Sequence, residues 1–296
     1  MPLAYERFDL SEFDIVISSS FACSKGIITK PSCMHVCYCH TPMRYVWDEW
    51  QNYLRNYKVN RVVKRIVPNM LHKLRIWDRM AADRVDYYIA NSDFIKQRIK
   101  KYYKHDAEVI NPPVNFNEFN SSREIGDYYL AGGRLTAYKK FDLLVDAFNE
   151  LGLKLKIFGT GESLKDLEKV AKKNVQFLGR VSDTELKELY SKAKAFIFPQ
   201  IEDFGIVPLE AMASGRPVIA LKAGGALETV VDKKTGVFFG EQSVKSLKEA
   251  VNRFEKMTFD SQKILNHAKK FDVSVFEQKI LDFLEKKWYY WERNMT

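Results

Sequence analysis

The amino-acid sequence predicts an α/β protein made of two doubly wound domains, and three observations predict it. Short apolar runs of strand length alternate with helix-length amphipathic stretches. The run Asn111-Pro112-Pro113-Val114 breaks that alternation into two series, because a residue before proline is held extended. In the second series the loops that end successive strands are rich in Gly, Arg, Lys or Glu, and in a parallel sheet all such loops open on one edge.

The first series predicts strands over Asp14 to Ser20, Met34 to His40, Asp86 to Ala90 and Ala107 to Ile110. It also predicts a helix over Ser92 to Tyr102, since Asn91-Ser92 are good helix-start residues. The second series predicts strands over Tyr129 to Gly132, Leu153 to Phe158, Val175 to Leu178, Ala195 to Pro199, Pro217 to Ala220 and Val237 to Phe239. Helices are expected between them over 141–151, 163–172, 184–193, 208–214, 226–231, 244–254 and 262–269, with Ser182 and Glu185 spaced as a capping box. A last helix over Val275 to Trp288 carries an aromatic surplus ending in Tyr289, Tyr290 and Trp291, which suits packing on a neighbouring domain or a membrane interface. The expected division is a partial first domain over 1–112, a nucleotide-type domain over 113–271, and a closing helix over 272–296 that crosses back to the first domain.

At 296 residues, with 46% hydrophobic and 29% charged residues, the chain has the composition of a folded globular protein. No apolar run reaches the roughly 20 residues a bilayer crossing needs, and the first residues lack a secretory leader pattern. A cytoplasmic protein is expected. Cys23, Cys33, Cys37 and Cys39 fall in one short region. Cys37 and Cys39, two apart in an extended run, face one side of a strand, which favours buried thiols over a metal cluster or a disulfide.

The net charge of +9 is uneven. Arg55, Lys58, Arg61, Lys64, Arg65, Lys73 and Arg75 alternate with apolar residues in an amphipathic segment that Pro68 interrupts. Three readings fit such a segment: a surface covered by snorkelling side chains, an anionic membrane contact, or nucleic acid. No nucleic-acid module accompanies it.

Candidate chemistry lies in the second series. Glu202 sits in the loop Gln200 to Gly205 after a strand, and Glu210 on the helix that follows, with Pro208 in the first turn. Two acids so placed serve either helix capping and solvation or a bound ligand. Gly132-Gly133-Arg134-Leu135, followed by Lys139 and Lys140, allows a tight turn whose cations could embrace a diphosphate; a solvated basic turn is the alternative. Gly159-Thr160-Gly161 is half a phosphate loop without the Gly-Lys-Ser or Gly-Lys-Thr ending of nucleoside-triphosphate sites, which argues against an ATPase or kinase. By itself it fits tight strand-to-helix packing equally well. Gly179-Arg180 closes the next strand, and Gly224-Gly225 precedes a helix whose free amides are expected to suit an anion.

At these residues the chain resembles the retaining nucleotide-sugar glycosyltransferases of GT-B architecture, in the family 4-like, mannosyltransferase-like branch. The matching pieces are Gly133-Arg134-Leu135 with Lys139, Gly159-Thr160-Gly161, Phe177-Leu178-Gly179, Glu202-Asp203-Phe204-Gly205, Pro208-Leu209-Glu210-Ala211, Gly215-Arg216-Pro217 and Gly224-Gly225, with His40-Thr41-Pro42-Met43-Arg44-Tyr45 upstream. The resemblance implies two Rossmann-like domains, the first truncated, and transfer of a hexose, mannose by preference, from a nucleoside diphosphate sugar to a lipid-linked saccharide or other glycan. It implies GDP-mannose ahead of a UDP-sugar as donor, no cofactor and no metal.

It further implies that Glu210 holds the ribose hydroxyls, that Arg134 and Lys139 hold the diphosphate, that Glu202 lies against the donor sugar, and that His40 meets the transferred sugar and acceptor. Gly133, Gly159, Gly161, Arg180, Gly205, Ile206 and Val207 would complete the donor contacts. Lys140 stands where the family often has Gly. The family ordinarily has further strand units before the part matching Asp14, so this reading expects a fragment, or an edge covered by a second copy or another polypeptide, with nucleotide binding retained and transfer weak in the chain alone. A partner-dependent sugar-nucleotide-binding subunit is the alternative function. Peripheral attachment at the inner face of a cell membrane is also expected.

Overall fold

The computed structural model describes residues 2–51 and 61–295. It contains two compact units, Met1–Asn111 with Gln278–Thr296, and Pro112–Glu277.

The first unit holds a parallel sheet of β1 (Ile15–Ser20), β2 (Met34–Cys39), β3 (Tyr87–Ala90) and β4 (Ala107–Val109), in that order. β2 pairs on both sides and is buried on both faces, which accounts for its nearly unbroken apolar run. β1 lies at one edge with Ile17 exposed, and no strand among the described residues pairs with its outer side. All four cysteines are buried and unpaired. The helix that follows β3 (Asp93–Tyr102) is capped by Ser92, whose Oγ accepts from the amide of Ile95.

A long helix spans Arg61–Ala82 and passes through Pro68, so the expected interruption there does not occur. Proline removes one donor from the helix ladder, but Pro68 is exposed and solvent can take over the freed carbonyl. Of the basic segment, Arg55, Tyr57, Lys58 and Val59 lie outside the described residues, as do the side chains of Arg61 to Lys64. The remainder of this helix turns Leu71, Leu74 and Trp77 toward Cys23, Met43 and Val46. It leaves Ile66, Met70, Ile76 and Met80 exposed. Among the described residues no helix is long and apolar enough to cross a membrane.

Asp78, on the inner face of that helix, is fully buried and ion-paired to the equally buried Lys25. Its carboxylate also accepts from Trp47 Nε1 at 2.7 Å and from the Tyr103 hydroxyl at 3.0 Å. Lys25 lies 5.0 Å from the centre of the Tyr103 ring and donates to the carbonyl of Ala22 at 3.2 Å. The network therefore ties the turn after β1, the long helix and the end of the next helix to one desolvated charge pair.

The second unit is a six-stranded parallel sheet in the order β10-β9-β8-β5-β6-β7. Its strands are β5 (Tyr128–Gly132), β6 (Lys154–Phe158), β7 (Val175–Gly179), β8 (Phe196–Phe198), β9 (Val218–Leu221) and β10 (Gly236–Phe239). Alternate residues feed two cores. Tyr129, Leu155, Ile157, Ile197, Ile219 and Val237 meet helices 141–151 and 244–254 on one face. Leu130, Phe196, Phe198, Val218 and Ala220 meet helices 183–192, 206–213 and 261–268 on the other. The chain winds outward from β5 in one direction to β7 and from β8 in the other to β10, so the order reverses between the adjacent strands β5 and β8. In open sheets that reversal opens a crevice beyond the carboxyl ends of the strands.

The capping box forms as expected, with Ser182 accepting from the Glu185 amide and the Glu185 carboxylate accepting from Ser182. The helix bearing Glu210 begins at Ile206 rather than Pro208. Proline tolerates this because first-turn amides have no acceptor within the helix. The closing helix (Val273–Met295) sets Trp291 edge-on to Tyr87, with ring centres 6.4 Å apart, while Tyr289 and Tyr290 are exposed.

Replacing Asp78 by Ala strands the buried Lys25 ammonium and is expected to destabilise the protein by about 3–5 kcal/mol. The double change Lys25→Met with Asp78→Leu removes both charges and should recover most of that loss. Chemical denaturation of the two variants beside the parent chain checks both outcomes.

Candidate active site

The loops after β5 and β8 flank the point of strand-order reversal, and they bring Lys139 to Glu202. Lys139 Nζ is 3.3 Å from Glu202 Oε1, with side-chain exposures of 15% and 24%. This separation makes a charge pair, yet Oε1 has no hydrogen bond and is shielded from solvent. The charge of this shielded oxygen is offset by the Lys139 ammonium rather than by a formed hydrogen bond. Lys139 occupies a short 3-10 turn, Ala137–Lys139, and its Nζ lies 3.5 Å from where a side chain on Gly133 would begin. Lys140 takes a left-handed conformation at φ 58°, which explains why glycine suits this place elsewhere. Arg134 is exposed, and its guanidinium has no ion pair among the described residues.

Glycines hold these loops at backbone distance from one another. A Cβ on Gly159 would fall 1.9 Å from the Gly133 carbonyl oxygen, and one on Gly161 would fall 2.3 Å from that of Leu135. The two loops are sewn together by Gly133 N–H donating to Phe158 O at 3.1 Å and Leu135 N–H to Thr160 O at 2.9 Å. Gly159 and Gly161 thus serve to set the loop of Gly133 and Lys139. On the other side, a Cβ on Gly225 would fall 2.2 Å from Phe204 Cα, and one on Gly224 would fall 2.5 Å from Glu202 O. The Gly225 amide donates to Glu202 O at 3.0 Å and is not free for an anion. The helix behind it is only one turn, Ala226–Thr229. Of the amides expected to suit an anion there, that of Gly225 is engaged, and the glycine pair clamps the loop of Glu202.

Glu210 lies on the helix Ile206–Ala213, whose entry is set by Gly205 at φ 89°. Val207 is half-buried and Ile206 exposed at its start. The Tyr190 hydroxyl donates to Glu210 Oε2 at 2.8 Å. Burial pushes the Glu210 carboxyl above its ordinary range, the Tyr190 hydrogen bond opposes that rise, and the charge of Glu118 adds to it. Glu118 itself pairs with Lys187 at 3.1 Å. Gly179 has φ 66°, and Arg180 beside it is exposed.

In the first unit, His40 follows β2 at the carboxyl edge of its sheet. Its Nε2 is 2.8 Å from Ser19 Oγ, and its backbone carbonyl accepts from Asn91 Nδ2 at 3.0 Å. Burial lowers the imidazole pKa, so the ring is neutral near pH 7.

The sequence reading missed Tyr190, Ser19 and Gln200. Gln200 is 2% exposed with its Oε1 unpaired. Tyr190 reads as one apolar position in a helix, and its approach to a residue twenty positions away has no signal in spacing. Ser19 has none either, because its place beside the strand that leads to His40 is set by sheet register.

Comparison with known proteins defines the class. The profile of the family described as Glycosyl transferases group 1 matches residues 116–271, and that of Glycosyltransferase Family 4 matches residues 1–118. The chain belongs to the group 1 glycosyl transferase family, and its two parallel Rossmann-like sheets are those of the GT-B fold. The O-antigen chain mannosyltransferase RfbU of Salmonella typhimurium is 31% identical over 211 residues, covering 62% of this chain and 59% of that protein. The GDP-mannose-dependent alpha-(1-6)-phosphatidylinositol monomannoside mannosyltransferase of Mycobacterium tuberculosis is 38% identical over 136 residues, covering 40% of this chain and 35% of that protein. Among solved structures, Anabaena HepE in complex with UDP has the same fold, with a TM-score of 0.67 at 20% identity over 86% of this chain and 72% of that one. The chain spans little more than half the length of such curated relatives as RfbU.

Gly225→Ala should force the loop of Glu202 outward and destabilise the second unit by about 2 kcal/mol, the usual scale of overpacking. A Cβ on Gly240 meets nothing within 4 Å, so Gly240→Ala is expected to change stability by less than about 0.5 kcal/mol. Thermal unfolding of the two variants distinguishes a clamp from a merely flexible loop.

Proposed function

We propose that this chain is a glycosyltransferase that moves a hexose, mannose from GDP-mannose, to a lipid-linked saccharide or other glycan with retention of configuration. The observation that carries this reading is the Lys139 to Glu202 pair at the strand-order reversal, with a shielded Glu202 oxygen lacking a donor. A sugar hydroxyl can donate to the Glu202 carboxylate, whose side chain is 24% exposed, and a diphosphate supplies the anion that Lys139 can share with Glu202. Arg134, exposed on the same loop, is free to close on the diphosphate from solvent. As the glycosidic oxygen leaves, negative charge grows on the diphosphate, and fixed cations stabilise it most when little water competes. Glu202, held beside the sugar, offsets positive charge on the anomeric carbon. Glu210 accepts from ribose hydroxyls. His40 is proposed to orient a substrate hydroxyl as a neutral ring, with Ser19 fixing its plane.

The choice of mannose and GDP is supported by the two mannosyltransferases named above, one of them GDP-mannose-dependent. The HepE complex contains UDP, so UDP-sugars are the competing donors to test. A second reading, a sugar-nucleotide-binding subunit completed by a partner, is favoured by the outer edge of β1, which no strand among the described residues pairs, with Ile17 in it and Phe21 just after it 50% and 68% exposed. Attachment to an anionic lipid surface is favoured by the exposed Ile66, Met70 and Met80 on the same helix as Arg65 and Lys73.

Calorimetry with GDP, UDP and ADP sugars tests the central proposal. GDP-mannose should bind best, and Glu210→Ala should weaken binding about tenfold or more. In a transfer assay Glu202→Gln should lower turnover at least 100-fold, the scale of removing one transition-state electrostatic contact. Unchanged turnover would overturn the role of Glu202, whereas tight binding with no turnover until a partner is added would favour the subunit reading.

Flotation with vesicles containing phosphatidylserine should carry the protein at low salt and lose it when Met70 and Met80 are both replaced by Asp. Protein that stays at the bottom of the gradient at low salt would remove the membrane proposal.

A further inference from the structure

Tyr190 fills a position that phenylalanine would fill equally well by volume. It is fully buried on the helix Asp183–Lys192, with the rings of Phe196 and Phe158 at centroid distances of 5.7 and 6.0 Å. A hydroxyl placed there needs an acceptor, because a buried O–H without one costs about 1–3 kcal/mol. The acceptor is Glu210 Oε2, at 2.8 Å. A carboxylate only accepts, so the direction of this bond is settled. The other oxygen, Oε1, meets no donor among the described residues.

We propose that Tyr190 is the positioning residue for Glu210: from the core side it holds one carboxylate oxygen, selects a single side-chain orientation, and leaves the other oxygen as the acceptor for the nucleotide ribose. This inference rests on the nucleotide-sugar reading of the site and adds to it a residue that neither motif nor spacing identifies. The same helix carries a second support. Lys187, three residues earlier and so on the same face, pairs with Glu118 at 3.1 Å. The groups acting on the Glu210 charge are Tyr190, which favours the ionised form, and Glu118, which disfavours it. Lys187 offsets Glu118. Tyr190 thus favours the ionised form of Glu210 against the upward push of burial, and Lys187 holds the neighbouring Glu118 in an ion pair.

The sign of the pH effect follows. Burial raises the Glu210 carboxyl pKa, and the Tyr190 bond lowers it. Without the hydroxyl the pKa rises further, so the acceptor is protonated at a higher pH and ribose binding fades earlier as pH falls.

The test is a double-mutant cycle read by calorimetric binding of GDP and UDP to the full chain from pH 5.5 to 8. Tyr190→Phe and Glu210→Gln are each expected to weaken the better-bound nucleotide about tenfold at pH 8, and the double variant should bind no more weakly than Glu210→Gln alone. Tyr190→Phe should also move the acid limb of binding to higher pH, an effect that loss of packing does not produce, while Glu210→Gln should have no such limb. Thermal unfolding of each variant shows that the domain is folded. If Glu210→Gln binds as the parent does, the reading of the site fails and this proposal with it. If Glu210→Gln weakens binding but Tyr190→Phe leaves affinity and acid limb unchanged, the site reading stands and the role of Tyr190 is overturned. Equal losses from Tyr190→Phe in the presence and absence of the Glu210 carboxylate would overturn it too, by showing that the tyrosine acts through packing.

Discussion

The second unit depends on backbones approaching more closely than side chains permit. At the carboxyl edge of its sheet, Gly159 and Gly161 let one strand-end loop rest on another, and Gly224 and Gly225 press the loop of Glu202 from the opposite side. A methyl group at any of these positions would lie within 2.5 Å of a backbone atom, well inside contact distance. Two loops that would otherwise wander are therefore fixed against their neighbours. Their placement brings a cation from one into range of a carboxylate from the other at the reversal of strand order. The charged site is thus a product of uncharged packing.

The two units treat their shielded carboxylates in opposite ways. Asp78 in the first unit is satisfied by an ammonium, an indole and a phenol, and its network joins segments far apart in the chain. Nothing there is left to offer a ligand. Glu202 in the second unit keeps a shielded oxygen without a hydrogen bond, and Glu210 keeps one oxygen beyond the reach of its tyrosine. A closed polar network stabilises a fold, whereas an open one on rigid supports stores binding capacity. The contrast separates a saturated charge network from carboxylates with hydrogen-bonding capacity to spare.

The strands were legible because parallel strands buried on both faces need unbroken apolar runs. β2, with every residue buried, reads as Met34 to His40 and forms over Met34–Cys39. Cap chemistry was legible too, as Ser92 and Ser182 show, since a side-chain cap is a contact over three residues. Pro68 misled because it signals a break only where the lost hydrogen bond cannot be replaced, and exposure replaces it. The amide of Gly225 misled for a related reason. Whether Gly225 N–H is free depends on Glu202 O, which arrives from another loop.

By itself the sequence determined the α/β alternation, the break at Asn111 to Pro113, and the identity of the acids and cations at strand ends. These are properties of neighbours along the chain, governed by periodicity, turn chemistry and proline. Only the tertiary structure decided that Lys139 meets Glu202, that Tyr190 backs Glu210, and that Ser19 meets His40. Each of those pairs spans 20 residues or more of chain. Their distances follow from strand order and loop packing, and hydrogen bonds and ion pairs act only over a few ångströms, so no local rule can supply them.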